Sequence, residues 1–256
     1  MSATDDEAAD VLAAMPTGLA RQWGFVEPSR RGPKARLSFA QVVGSAVAIA
    51  DEAGLDAVSM AAVASRLGVA PMSLYRHVDS KDQLLEAMAD AVLDEPPEVG
   101  DSGWRRYLAG WTRASRDQLI TRPWLVDTPR NGPPLGPRSI AWLEHGLQGL
   151  RGTPLDGGEK INVLTTLNAY AFSEASLAVA MGRAAGARAD AGLAEVEAYG
   201  RLLAALASTR GLDEVAAVAR AGVFSGGEEW LLDSDFVFGL DLLLDGVEAL
   251  VARRTG

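Results

Sequence analysis

The chain has no cysteine and only two histidines, His77 and His145, in 256 residues. Neither a disulfide framework nor thiol chemistry can operate, which suits a reducing cytoplasm. A conventional zinc site lacks its ligands, and neither a metal nor a cofactor is expected. No glycine-rich phosphate loop and no metal-spaced carboxylate cluster occurs. No apolar run approaches the ~20 residues of a membrane span. The first residues, MSATDDEAAD, lack the charged-then-apolar order of a signal peptide. Positive charge is in short supply, with 24 Lys and Arg against 34 Asp and Glu. Aromatics are 6% of residues.

What the chain does have is helical periodicity throughout, with no β-branched alternation, so an all-α fold is expected. Residues 59–83 are the most informative stretch. Ser59 is placed to cap a helix whose apolar face is Ala62, Val63 and Leu67. Gly68 follows at the usual position of a left-handed helix end. Pro71 suits the first turn of the next helix, where its missing amide has no partner. Leu74 and Val78 lie one turn apart and face inward. Met72, Ser73, Tyr75, Arg76 and His77 are left facing out. Two helices crossed at a glycine turn, with hydroxyl, aromatic and basic groups outside, suit entry into a DNA major groove. An ordinary helical hairpin with a solvated face fits the same spacing.

The flanks are well marked. Ser38 with Gln41, and Ser80 with Gln83, form capping-box patterns. Phe39, Val42, Val43, Ala46 and Ala50 give one apolar stripe, and Gly54 stops that helix. The helix from Ser80 runs through Leu84, Leu85, Met88 and Val92 towards Pro96-Pro97, which marks a domain boundary.

The stretch LGVAPMSLYRHVDSKDQLLEAM resembles the DNA-binding domain of the tetracycline repressor family, and the likeness covers residues 37–93. The resemblance implies a three-helix head whose third helix, about 70–77, reads DNA. It places Tyr75, His77 and Lys81 as phosphate contacts. Pro71, Met72, Ser73 and Arg76 take base-reading and flanking positions, with Ser59 and Met60 opening the helix before them. Ala61 and Ala70 depart from the polar residues common in the family, so the tetracycline repressor's own operator preference does not transfer. Asp79 stands where a basic residue is common and would repel phosphate.

Charge sets a condition on that reading. In residues 37–95, Arg66, Arg76 and Lys81 face nine carboxylates, a net charge of −6. Phosphate neutralisation supplies most non-specific affinity, so cations are needed elsewhere. They stand just upstream in PSRRGPKAR, as Arg30, Arg31, Lys34 and Arg36. Residues 1–36 therefore read as a flexible extension ending in a basic arm able to lie in the minor groove. A solvated linker is the other reading of the arm.

Residues 96–256 read as a second, all-helical domain. Helices are expected at about 102–121, 139–150, 157–182, 191–208, 212–221 and 234–253. The stretch 123–138 holds five prolines and reads as a loop. Phe236, Leu240, Leu243, Leu244, Val247, Leu250 and Val251 form one stripe, and Val237, Phe238 and Leu242 extend it. Gly239 and Gly246, a heptad apart, permit close helix approach. FVFGLDLLLDGVEALV resembles the last helix of the family's regulatory domain. The resemblance implies a homodimer through helices about 157–182 and 234–253.

Trp104, Trp111, Trp124 and Trp142 fall close together in the chain, and Trp104, Tyr107 and Trp111 share one helix face. Flat apolar walls suit an uncharged or aromatic small molecule. Tyr107, Trp111, Trp124 and Trp142, with Asn168, Tyr170 and Phe172, are the candidate ligand contacts, although tryptophan at this spacing also serves as core. The resemblance implies a repressor that holds double-stranded operator DNA as a dimer and is released by a small-molecule effector. A sensor dimer with weak or lost DNA binding is the alternative, and the acidic head motivates it. An enzyme is a distant third. Gly100-Asp101-Ser102-Gly103 only superficially matches a serine-protease sequence, and Asp101 or Ser102 reads better as a helix N-cap.

Overall fold

The computed structural model describes residues 10–26, 37–130, 132–187, 192–223 and 234–255. Among these the regular elements are all helical, as the periodicity predicts. No helix among them is long and apolar enough to cross a membrane. Contacts divide the chain into two compact units. One lies within Met1–Asp101 and Thr121–Gly149, the other within Ser102–Ile120 and Leu150–Gly256.

The first unit holds α1 (Thr17–Gln22), α2 (Phe39–Ala53), α3 (Met60–Leu67), α4 (Pro71–Leu74), α5 (Lys81–Ala91) and α7 (Pro137–Gly149). Local signals explain most of these boundaries. Ser38 and Gln41 close a full capping box on α2, with bonds of 3.1 and 2.8 Å. Ser59 Oγ accepts from Ala62 N–H at 3.1 Å and starts α3. Gly68 ends α3 at φ 66°, and Val69 N–H returns to the Ala64 carbonyl at 3.0 Å. Ser80 Oγ caps α5 through Gln83 N–H. The second half of that box is displaced by one residue, because the Gln83 side chain accepts from Asp79 N–H at 2.6 Å. The head core joins Val42 and Ala46 of α2, Val63 of α3, Leu74 and Val78 around α4, and Leu84 and Met88 of α5, all fully buried.

Three features differ from the sequence expectation. Residues 17–22 form a helix where a flexible extension is expected. Arg30, Arg31, Lys34 and Arg36 of the basic arm lie outside the described residues. Second, α5 stops at Ala91, short of Pro96. The carbonyls that follow are taken by side chains from 122–142: Val92 by Arg122 at 3.4 Å, Leu93 by Arg138, and Asp94 by the Trp142 indole at 2.8 Å. Third, residues 121–149 fall beyond the expected boundary at 95/96 yet pack with the head. Asp90, 5% exposed, ties them there by accepting from Ser139 N–H and Oγ, each at 2.8 Å, and from Arg138 N–H at 3.3 Å. A carboxylate on α5 thus caps the start of α7.

The second unit holds most of α6 (Trp104–Thr121) with α8 (Gly157–Ala187), α9 (Gly192–Thr209), α10 (Asp213–Arg220) and α11 (Asp235–Thr255). The cap of α6 is neither Asp101 nor Ser102. Tyr107 N–H bonds the Gly103 carbonyl at 3.1 Å, so Gly103, at φ 82°, holds that position. Inside the unit, Arg105 of α6 reaches Asp245 at 2.6 Å and Glu248 at 3.0 Å on α11. Glu159 of α8 pairs with Arg254 of α11.

Candidate functional site

The recognition turn begins at α4. Its regular helix covers four residues rather than the expected 70–77. It continues as tightened turns, with His77 N–H on the Leu74 carbonyl at 2.7 Å. Leu74 and Val78 are fully buried, so their spacing fixes which side faces solvent. Met72 is 74% exposed and Tyr75 44%. Pro71, Arg76 and Lys81 are also exposed, Ser73 and His77 are half-buried, and Ser59 and Met60 stand at the start of α3. The described DNA-binding candidates therefore gather around the glycine turn and the cap of α5.

Two charges on this surface are committed elsewhere. Arg66 forms a bidentate pair with Glu52, at 2.5 and 2.6 Å, which ties α3 to α2 rather than facing outward alone. The Asp79 carboxylate accepts from the Gln83 side-chain amide at 3.4 Å. Arg76 and Lys81 remain on the exposed side of the turn. Burial pushes the His77 imidazole below the ordinary histidine range, and the Arg21 and Arg76 guanidinium groups push it further. The ring is therefore neutral at pH 7, a hydrogen-bonding group rather than a fixed cation.

The matched families decide the larger question. The model for bacterial regulatory proteins of the tetR family matches residues 43–88. That for the tetracyclin repressor-like C-terminal domain matches residues 96–251, more than half the chain. The chain belongs to the tetracycline repressor family. The transcriptional repressor DrrR1 of Streptomyces coeruleorubidus is 33% identical to it over 240 residues, 91% of this chain and 86% of that protein. The class A tetracycline repressor protein of Escherichia coli is 35% identical over 83 residues, 31% of this chain and 38% of its own. Apo ActR of Streptomyces coelicolor superposes with a TM-score of 0.70 at 25% identity, covering 86% of this chain and 99% of ActR. ActR bound to actinorhodin gives 0.67 at 28% identity, covering 84% and 97%. These relatives are transcriptional regulators, not enzymes, and this family member is a transcriptional repressor of the same kind.

In this tetracycline repressor family member the candidate ligand residues are divided between the two compact units. Trp124 and Trp142 belong to the first unit. Their indole N–H groups are held there by Asp51 Oδ1 at 2.7 Å and the Asp94 carbonyl at 2.8 Å. Tyr107 and Trp111, 6% and 4% exposed, lie on α6 in the second unit. Asn168 is exposed on α8. Tyr170, two residues on, faces another way. Its hydroxyl donates to the Phe236 carbonyl at 3.0 Å, and its ring stacks on Phe236 at 5.5 Å. Phe172 is half-buried. The Arg116 guanidinium, 7% exposed, lies 4.1 Å over the Phe236 ring.

The aromatic count misses a polar stripe that helical spacing could have shown. Ser115 and Gln118 continue the Tyr107–Trp111 face, and both are buried. Burial pushes the Tyr107 hydroxyl up to about 12, so it remains a proton donor across the physiological range.

Proposed function

We propose that this chain is a ligand-responsive repressor that binds a near-palindromic operator as a homodimer and releases it when a small molecule occupies the second domain. The observation that carries the reading is the sorting of the recognition turn. Leu74 and Val78 are fully buried while Met72, Tyr75 and Arg76 stand in solvent on one short helical turn, with Lys81 exposed at the start of α5. That arrangement fits base reading by Met72, Ser73 and Arg76 and phosphate contact by Tyr75, His77 and Lys81. The arm at Arg30, Arg31, Lys34 and Arg36 would add minor-groove contact and offset the acidic head. The protein would work in the cytoplasm, where the operator is.

Homodimerisation through α8 and α11 is supported by what those helices leave uncovered. Ile161 and Leu177 of α8, and Phe238 and Leu242 of α11, are more than two-fifths exposed. A Cβ on Gly246 would meet open space, whereas one on Gly239 would run into the Tyr170 hydroxyl within the same subunit. The two glycines thus have different tasks, with Gly246 free to admit a partner helix. Two heads about 34 Å apart address successive major grooves.

The effector is a flat, largely apolar molecule with oxygen or nitrogen functions along an edge. The α6 face Tyr107, Trp111, Ser115 and Gln118 supports this class, placing ring surface and polar groups on one line. ActR, a structural relative, has been solved with actinorhodin and with (S)-DNPA. Alanine substitution of Tyr75 and Lys81 tests the whole reading. Operator binding is expected to collapse while ligand binding survives. A sensor dimer that has lost DNA binding would show little operator affinity to lose.

A further inference from the structure

Two routes lead from the segment at 135–139 to the DNA-reading turn, both inside the first unit. One is α5, whose Asp90 holds Ser139 and Arg138. The other is α1, whose contacts serve no part of the reading above. Arg21 Nη1 donates to the His77 carbonyl at 3.1 Å, a group that the end of a helical turn leaves without a helical partner. The Trp23 indole N–H donates to the Leu135 carbonyl at 2.8 Å.

The helix that ends at these anchors is seated, not draped. Gly18 is buried, and a Cβ there would collide with the Gln83 amide. Gln83 is the side chain that accepts from Asp79 N–H, so α1 packs on the corner that joins the recognition turn to α5. The far end of α1 is closed by Gly24 at φ 73°. Phe25 N–H returns to the Ala20 carbonyl at 2.8 Å, and its ring stacks on Trp23 at 6.1 Å. A closed helix end fixes the distance between Arg21 and Trp23.

We propose that α1 is a positioning strap, in which the Arg21–His77 and Trp23–Leu135 bonds together fix the recognition turn to the 135–139 segment and so set operator affinity. The proposal rests on the recognition-turn reading. The two bonds act in series along α1, so loss of either breaks that route, leaving only the one through α5, and loss of both adds nothing. Arg21 and Trp23 are positioning residues, because each acts through a backbone carbonyl rather than through the DNA.

The test uses the full chain and the best duplex selected from random DNA, with affinity measured across a salt series. Arg21→Ala and Trp23→Phe should each weaken binding by about 2- to 12-fold, the range set by one hydrogen bond. Trp23→Phe keeps a ring against Phe25, so its loss reports the donor. The double variant should bind no more weakly than the weaker single. Arg21→Lys, which retains a donor, should recover affinity. The salt slope should stay unchanged in all of them. A slope shallower by about one in Arg21→Ala would make Arg21 a phosphate contact and overturn the strap. Additive losses, or no loss, would overturn it as well. Lys81→Ala separates the two levels. If it weakens binding while Arg21→Ala and Trp23→Phe do not, the strap alone is wrong. If it changes neither affinity nor slope, the recognition-turn reading is wrong and the strap falls with it.

Discussion

Replacing Asp90 with alanine should destabilise the first unit more than any surface change in it. The carboxylate is 5% exposed and accepts three bonds: Ser139 N–H at 2.8 Å, Ser139 Oγ at 2.8 Å and Arg138 N–H at 3.3 Å. Losing a helix cap costs about 0.5–2 kcal/mol. The donors are only part-buried, so each left unsatisfied adds at most about 1–3 kcal/mol, less where water enters. Partial relaxation brings the sum to roughly 2–4 kcal/mol. For a chain of this size that corresponds to a fall in melting temperature of roughly 5–15 °C, read by far-UV circular dichroism. Ser139→Ala removes only one acceptor–donor pair from the hydroxyl and should cost about 1 kcal/mol. Because both changes act on one cluster, the double variant should fall short of their sum. An Asp90→Ala protein melting within about 1 °C of the parent would refute the account of how 121–149 is tied to the head.

His77 should make both stability and DNA binding depend on pH, with opposite signs. Its folded pKa is depressed, first by burial and then by Arg21 and Arg76. Its stabilising contribution is therefore present above the ordinary histidine pKa of about 6.5 and is lost as pH falls from there through the lower folded value. Operator phosphates favour the protonated ring, so affinity should rise as pH falls below the ordinary histidine range towards the depressed folded value. A His77→Gln variant should lose that rise, and a flat profile in the parent would contradict it. The paired glycines of α11 separate fold from assembly. Gly239→Ala, which meets the Tyr170 hydroxyl, should lower the melting temperature of the subunit. Gly246→Leu should leave helicity intact and shift the protein towards monomer in sedimentation. A Gly246→Leu protein that remains fully dimeric would remove Gly246 from the interface.

The head was legible because its signals are local. The Ser38 and Ser59 caps, the left-handed Gly68 and the inward pair Leu74 and Val78 each act within a few residues, and the structure uses each of them. The elements that escaped are held by distant partners. Six residues of α1 carry no apolar stripe, and Gln83, His77 and Leu135 hold them in place. Asp90 caps a helix 49 positions away, and no sequence pattern announces such a partner. The tryptophans from Trp104 to Trp142 are close in the chain, but the chain passes from the second unit into the first near residue 121. The indole N–H groups of Trp124 and Trp142 go to the Asp51 carboxylate and the Asp94 carbonyl, partners that sequence spacing does not announce. Tyr170, a candidate ligand contact by its residue type, has its hydroxyl on the Phe236 carbonyl, a contact set by how α8 crosses α11.

Selection of bound sites from random duplex DNA, followed by a salt titration on the best site, tests the central claim most directly. A dimeric repressor predicts an enriched inverted repeat, with half-sites one turn or a multiple of about 10–10.5 bp apart, and a steep fall of affinity with salt. No enrichment at moderate salt would contradict it and leave a sensor that has lost its operator.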